Sequence, residues 1–379
     1  MPKKKDFFAR VRYEPSATPV CEHFGECGGC RYQDMQYEKQ LELKQKYLKK
    51  LFGKEILVHP SPQYGYRNRM DFVYRDGKLS LRKRGDFSTI IPISTCHLIP
   101  PQLQARFDQV QQLLDTYNIP SYDEESRVGL RYVVFRYAPA TDELMLVVTS
   151  THADEVTTEF VNELPAFAHS VYWYLNPEIT DVSIPSKEPH LQLGNETITD
   201  SIAGVHLSYG PQSFFQSNSQ LATTAIETMK EQVKGVTVDL CCGVGTIGLA
   251  VAQNTTQLIG VELVEEAIAY AKKNAEANGI QADFTVCEMK KLKDVVPTNI
   301  DTLIIDPPRA GTGKKTMKRI AELSPKRIIY LSCNPKTQAI DLKWLEELGG
   351  NYKVTFHEAF DFFPNTSHVE SLMVLERIM

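Results

Sequence analysis

From Val236 onward the chain alternates short apolar runs with amphipathic helical stretches. VTVDLCC, QLIGVEL, DFTVCEM, TLIIDPP and RIIYLSC read as strands, and TIGLAVAQ and EEAIAYAKKNAEANG as helices, with further helical segments between the later strands. YKVTFHEAFDFF and ESLMVLERI close the series as two β runs. A strand that feeds a helix can rejoin its own sheet only by a crossover, which lays the next strand parallel. The pattern therefore predicts an α/β fold with a doubly wound, mostly parallel sheet. In such sheets ligands bind at the carboxyl ends of the strands.

The chain has 379 residues, which predicts two domains. A helix is expected in RYQDMQYEKQLELKQKYLKKLFG, stopped by Gly53. Between Gly65 and His190 the texture is different: RMDFVY, KLSLRKR, LRYVVFRY, ELMLVVTS and SVYWYLN read as antiparallel strands, with one helix near Gln102–Tyr117. The next shift in pattern places a boundary near Val205–Pro211. The expected divisions are a short tail over 1–20, a central unit over 21–205 and a second unit over 206–379.

Hydrophobic residues make up 42% of the chain and charged residues 23%, ordinary for a chain that builds full cores. The longest apolar runs, such as LMLVV near Leu144, are too short to span a bilayer. MPKKKDFF has lysines but no apolar stretch behind them, so it does not read as a secretory signal. The expected location is the cytoplasm, with no membrane and no obligate protein partner indicated. A net charge of −5 argues against a protein that coats nucleic acid. One local exception is Tyr64–Asp86, where seven Lys/Arg face three Asp and alternate with Tyr64, Tyr66, Phe72 and Tyr74. That mixture suits either an RNA-binding surface or the solvated face of a hairpin.

Eight cysteines without an export signal point away from disulfides. CEHFGECGGC places Cys21, Cys27 and Cys30 with five and then two residues between them. The glycines before Cys30 let the backbone turn tightly enough for neighbouring thiols to face one centre. Cys96 is the remaining cysteine of the N-terminal half and the natural fourth ligand. Four thiolates suit zinc or an iron–sulfur cluster, and spacing alone does not choose. His23 and His97 are substitute ligands that read as bystanders. The spacing does not match the three-and-two pattern of radical S-adenosylmethionine sites.

DLCCGVGTIG follows the first strand of the C-terminal series, a glycine turn that brings backbone close to a ligand. Glu262, ending the next strand about 20 residues on, sits where an acid meets a ribose hydroxyl pair. No GKS or GKT follows the glycines, so a triphosphate-cradling lysine is missing, while nicotinamide remains open on these features alone. IIDPPR ends a later strand in a rigid acidic lip at Asp306, because each proline fixes φ. YLSCNPKT ends another strand in Cys333, either a packed core thiol or a nucleophile at the mouth of the sheet.

CEHFGECGGC, SFFQSN, DLCCGVGTIGLA, GVE, IDPPRAG, SCNP and FPNTSHVE occur in this order. The chain from about Cys21 to its end thereby resembles RNA uridine-5-methyltransferases, which make 5-methyluridine in 23S rRNA and in the tRNA T-loop. The resemblance implies a Rossmann-like S-adenosylmethionine methyltransferase domain preceded by a smaller α+β iron–sulfur-bearing domain. It implies Cys333 as nucleophile and Glu370 as proton acceptor. Gln216, Glu262 and Asp306 would bind S-adenosylmethionine, with Cys241 lining the cofactor where an aromatic is commoner. Cys21, Cys27, Cys30 and Cys96 would hold a 4Fe-4S cluster. Phe214 would fill the gap left by an extruded base. Thr246 replaces an asparagine seen in some members, and only 20 residues precede Cys21, too few for the OB-like domain many relatives carry.

The chemistry implied needs these residue types. Carbon 5 of uracil is a weak nucleophile until a thiolate adds to carbon 6, and a carboxylate must later remove the carbon-5 hydrogen. A stacked base hides its face, so the uridine must be flipped out or presented in a loop. Asn334 would either bond the enolate or cap the turn. Cys242 and Cys287 read as packing. The expected partner is RNA, 23S rRNA ahead of tRNA because of the cysteine motif. An amino-group methyltransferase is disfavoured by Arg309 after the prolines. A metal-bearing RNA-binding protein without activity would leave Cys333, Glu370 and Gln216 unexplained.

Overall fold

The computed structural model describes residues 7, 8, 11–178 and 180–378. The lysine run near the start, Lys3–Lys5, lies outside them. Helix α1 (Tyr37–Phe52) and strand β1 (Val58–His59) come first, α1 stopped by Gly53 in the left-handed conformation at φ 74°. The central region follows. Strands β2 (Arg69–Arg75), β3 (Lys78–Lys83) and β4 (Asp86–Pro92) precede helix α2 (Pro101–Tyr117). Then come β5 (Leu130–Ala138), β6 (Glu143–Ser150), α3 (Glu155–Glu163), β7 (Ser170–Leu175) and β8 (Leu191–Gly194). They form one seven-stranded sheet in the order β4-β3-β2-β5-β6-β7-β8.

The expected strands are present, with one correction: β6 and β7 pair in parallel. The reason is α3, nine residues long and capped by Asp154, whose carboxylate accepts from the Thr157 amide at 2.8 Å. A helix in the connection turns a hairpin into a crossover.

A two-stranded ribbon, β9 (Ile198–Ile202) and β10 (Val205–Tyr209), leads into the C-terminal region. There α4 (Ser219–Lys230), β11 (Gly235–Leu240), α5 (Thr246–Val251), β12 (Thr255–Glu262), α6 (Glu265–Ala277), β13 (Asp283–Val286) and α7 (Leu292–Val295) follow in turn. The chain ends with β14 (Thr302–Ile305), α8 (Lys314–Leu323), β15 (Arg327–Ser332), α9 (Pro335–Glu347), β16 (Tyr352–Phe360) and β17 (Glu370–Arg377). The eight-stranded sheet runs β1-β16-β17-β15-β14-β11-β12-β13. Strands β11 to β15 are mutually parallel, and β17 enters antiparallel beside β15. The order reverses between β11 and β14, the switch point where a crevice opens at the carboxyl ends.

The segment holding α1 and β1 falls within the expected central unit, yet it packs on the C-terminal sheet. β1 adds in parallel to β16, and Leu48, Ile56 and Val58 share a small core with Ala359 and Val369. Among the described residues no helix is long and apolar enough to cross a membrane.

Candidate active site

Strand register brings the two expected reactive groups together. Ser332, the last residue of β15, pairs with Ser371 in antiparallel β17. Cys333 follows Ser332 directly and Glu370 precedes Ser371, so the two stand at the adjoining ends of neighbouring strands, and Glu370 pairs on its other side with Phe360. Proline at the first turn of α9 ends the strand and leaves Cys333 at the mouth of the sheet. Burial pushes its thiol up to about 11; the negative charges of Glu370 and Asp306 add to that, and Arg309 opposes it. Glu370 is 5% exposed, and burial first, then Asp306, holds its carboxyl well above the usual range.

Both groups open into a groove of about 890 Å³ between the two sheets. Six arginines (Arg31, Arg67, Arg69, Arg82, Arg84 and Arg309) and Lys83 line it, against Asp71, Asp181 and Glu370. Five of these cations come from the basic Tyr64–Asp86 segment, so that stretch is one wall of the groove. Phe214, 69% exposed, stands in the same groove. Its loop is held by the central sheet. Fully buried Arg136 donates to the carbonyls of Gly210, Pro211 and Ser213 at 2.6–2.7 Å. The Asn68 amide donates to the Gln216 carbonyl at 3.0 Å, and Phe215 stacks on Tyr209.

The remaining expected cofactor residues ring the switch point. The Gln216 amide donates to Asp306 at 3.3 Å, and burial lifts the Asp306 carboxyl to about 7. Glu262 accepts from the amides of Gly243, at 3.3 Å, and Val264, at 3.1 Å. Cys241 adopts φ 61°, a left-handed position that strains a cysteine and turns the glycine loop across the strand ends. Burial pushes its thiol to about 12. Thr246 begins α5.

Asp239 had not been singled out. It lies within β11, accepts from the Gly248 amide at 2.9 Å and keeps its other oxygen without a partner. Burial lifts its carboxyl to about 8. The signal was an acid inside an apolar strand just before the glycine turn. Arg136 and Asn68 were missed as well; each is one polar residue in a stretch that otherwise reads as plain strand. Asn334 does not cap α9 with its side chain; its amide donates to the Arg309 carbonyl at 3.0 Å and ties the loop after β15 to the loop after β14.

Cys21, Cys27, Cys30 and Cys96 line one small cavity of about 20 Å³. Hydrogen bonds stitch the motif to the β3–β4 hairpin, from the Gly28 amide to the Arg82 carbonyl at 2.9 Å and from the Arg84 amide to the Glu26 carbonyl at 2.8 Å. A Cβ at Gly28 would lie 2.9 Å from the Arg82 oxygen, so glycine is required there. Burial raises all four thiols, Cys30 to about 12, with the neighbouring thiols adding to the shift at Cys30. Among the described residues no three potential ligands sit close enough together to hold a metal ion directly. His23 is occupied by Ser94, its Nε2 2.9 Å from the hydroxyl, and His97 packs edge-on to Tyr64.

The strand order, the antiparallel β17, the glycine turn and the acids at the switch point define a Rossmann-like methyltransferase domain. Residues 179–378 match the family model described as tRNA (Uracil-5-)-methyltransferase. A tRNA (uracil(54)-C(5))-methyltransferase of Pyrococcus furiosus is 33% identical over 95% of this chain and 85% of its own length. An uncharacterised RNA methyltransferase of Nanoarchaeum equitans is 35% identical over 96% of this chain and 81% of its own. The crystal structure of Pyrococcus abyssi tRNA (uracil-54, C5)-methyltransferase with S-adenosyl-L-homocysteine superposes with a TM-score of 0.82 at 32% identity, covering 96% of this chain and 87% of that one. The chain belongs to the tRNA (uracil-5-)-methyltransferase family.

Proposed function

We propose that this protein transfers a methyl group from S-adenosylmethionine to carbon 5 of a uridine in RNA, with uridine 54 of tRNA as the favoured target. The observation that carries the reading is that Cys333 and Glu370, at the adjoining ends of neighbouring strands, line one basic groove. Gln216, Glu262, Asp306 and Cys241, at the strand ends around the switch point, would hold the cofactor, and buried Asp239 keeps one carboxyl oxygen without a partner beneath them. S-adenosylmethionine, when bound, supplies an electrophilic methyl group.

Cys333, as thiolate, adds to carbon 6 of the uracil, and the displaced π electrons make carbon 5 nucleophilic. Carbon 5 takes the methyl group. Glu370 then removes the carbon-5 hydrogen as a proton, the ring double bond reforms, and the carbon–sulfur bond breaks to return the thiolate. The exposed ring of Phe214 suits the space that a flipped uridine leaves in its stack.

The expectation of 23S rRNA rested on the cysteine motif. Relatives named as tRNA uracil-54 enzymes, with similarity along nearly the whole chain, favour tRNA instead. Mapping 5-methyluridine in RNA from a deletion strain decides between them. Loss of the mark from tRNA supports the assignment, and loss from 23S rRNA with tRNA intact overturns it.

We also propose that Cys21, Cys27, Cys30 and Cys96 hold a 4Fe-4S cluster. Four thiols lining one small cavity fit the donor set of such a cluster. Iron with matching sulfide after anaerobic purification supports it; zinc without sulfide does not.

The reaction itself is tested by incubating the protein with S-adenosylmethionine and RNA containing 5-fluorouridine, whose fluorine cannot leave as a proton. A protein–RNA adduct should form and be lost in Cys333→Ala. An adduct that survives this substitution sinks the mechanism.

A further inference from the structure

The basic groove does not end at Cys333 and Glu370. A second cavity of about 450 Å³ adjoins it and shares Val73, Arg82, Tyr132 and Asp181 with it. Strand β2 runs beneath both. Its alternation turns Arg69, Asp71, Val73 and Arg75 to one face while Met70, Phe72 and Tyr74 enter the core. Arg69, Asp71 and Val73 line the catalytic groove, and Val73 and Arg75 line the second cavity. Six residue steps make a track of about 20 Å.

The second cavity has a built floor. The register of β5 against β6 slips between Leu130 and Tyr132, a bulge that leaves Arg131 extra. Regular alternation would send Arg131 and Tyr132 to opposite faces; the bulge brings both into this cavity. Arg131 is 7% exposed. Its guanidinium donates to the carbonyls of Asn176 at 3.2 Å, Glu178 at 2.5 Å and Thr180, and lies 5.1 Å from the Tyr122 ring centre and 5.7 Å from that of Tyr132. Tyr122 is half-buried and forms the wall. Arg75, Arg82 and exposed Arg127 surround it, and Arg127 has no carboxylate partner among the described residues. The two acids at the rim, Glu124 and Asp181, are mostly exposed and pair with Arg75 at 3.2 Å and Arg82 at 2.6 Å, so the cation left over at the rim is Arg127.

A rigid aromatic–guanidinium platform inside a ring of arginines suits a base stacked on a side chain with its phosphates held by charge. We propose that this cavity is a second nucleotide subsite, and that a single-stranded RNA segment flanking the target uridine runs along β2 from Cys333 to Tyr122. The proposal rests on the RNA methyltransferase reading for the identity of its ligand.

The test is direct binding, which needs no turnover. Fluorescence anisotropy of a labelled oligouridylate is measured with Cys333→Ala protein, then after adding Tyr122→Ala, Arg127→Glu or Arg75→Glu. Each addition should weaken binding about tenfold. The two charge reversals should also flatten the dependence of affinity on salt, and S-adenosylhomocysteine affinity should stay unchanged as a control for folding. A labelled RNA duplex should bind more weakly than the single strand. The proposal is overturned if the protein fails to bind the oligouridylate, if none of the three substitutions weakens it, or if the duplex binds as well and is equally affected. Failure of the methylation reading looks different: binding and its losses persist, but no adduct forms with 5-fluorouridine RNA.

Discussion

At Cys333, the proposed nucleophile, burial and two acids disfavour the charged form of the thiol. With the thiol near 11, only about one molecule in ten thousand carries the thiolate at pH 7. Iodoacetamide labelling of Cys333 in the unliganded protein, followed by mass spectrometry, should therefore accelerate about tenfold per pH unit from pH 7 to 10. Glu370→Gln removes one of the negative charges and should move the profile to lower pH; a profile that stays put or moves up refutes the coupling. A second titration concerns Asp239 and Asp306, with folded values near 8 and 7. Both lie above the value of about 4 in an unfolded chain. The fold thus holds protons that the unfolded chain releases, so their contribution to stability is full below pH 4 and disappears as pH rises through 8. Asp239→Asn should raise the melting temperature of the ligand-free protein at pH 8 by at least about 2 °C relative to its effect at pH 4. An equal shift at the two pH values would exclude this linkage. The strand-end positions of Cys333, Glu370 and Asp306 were legible because motifs and proline stops mark them. Asp239 and Arg136 were not, because one polar residue inside an apolar run reveals its burial only once its neighbours are placed.

Helix α1 shows what a periodic pattern conveys and what it hides. Its extent and its glycine stop were readable, but the pattern does not set Lys44 apart from the other lysines of the helix. In the fold Lys44 is fully buried, donating to Asp361 and to the Phe363 carbonyl, and Gln40 exchanges hydrogen bonds with Asn365. Asn365, buried at φ 62°, also accepts from the amides of Arg31 and Tyr32. The residues just after Cys30 thereby hold the loop that carries His368 and Glu370. The partners of this lock are more than 300 positions apart, which is why no local pattern announced it. Burial lowers Lys44 and raises Asp361, so desolvation outweighs their attraction. Such a pair adds little net stability, yet breaking it strands a buried acid. Lys44→Met should cost about 3–5 kcal/mol in urea unfolding, and Lys44→Met/Asp361→Leu should recover most of that. A single variant as stable as the parent would show that the pair lies open to water.

Across the whole molecule, the two sheets share one core. Val134, Met145, Val147 and Tyr174 of the central sheet belong to the same buried cluster as Leu207, Phe215, Ile226, Ile304 and Leu372. Near residue 205 an antiparallel ribbon gives way to alternating strands and helices. The shift marks a change of architecture, and it does not reveal whether the halves melt apart. The contacts that decide this join strands through side chains, with no hydrogen-bond ladder and no periodicity to read. Arg136, whose guanidinium reaches across to hold the Phe214 loop, is part of the same junction. A continuous core predicts one cooperative unit. Calorimetry should give a single transition, with calorimetric and van't Hoff enthalpies in agreement. Met145→Ala, in a fully buried position of the central sheet, should cost about 2–5 kcal/mol and lower that one transition as a whole. S-adenosylhomocysteine, binding at the other sheet, should raise the same transition in both proteins. If the variant instead splits the trace, moving one peak while the ligand-responsive peak stays in place, the halves are independent, and the groove between them is a hinge instead of a fixed wall.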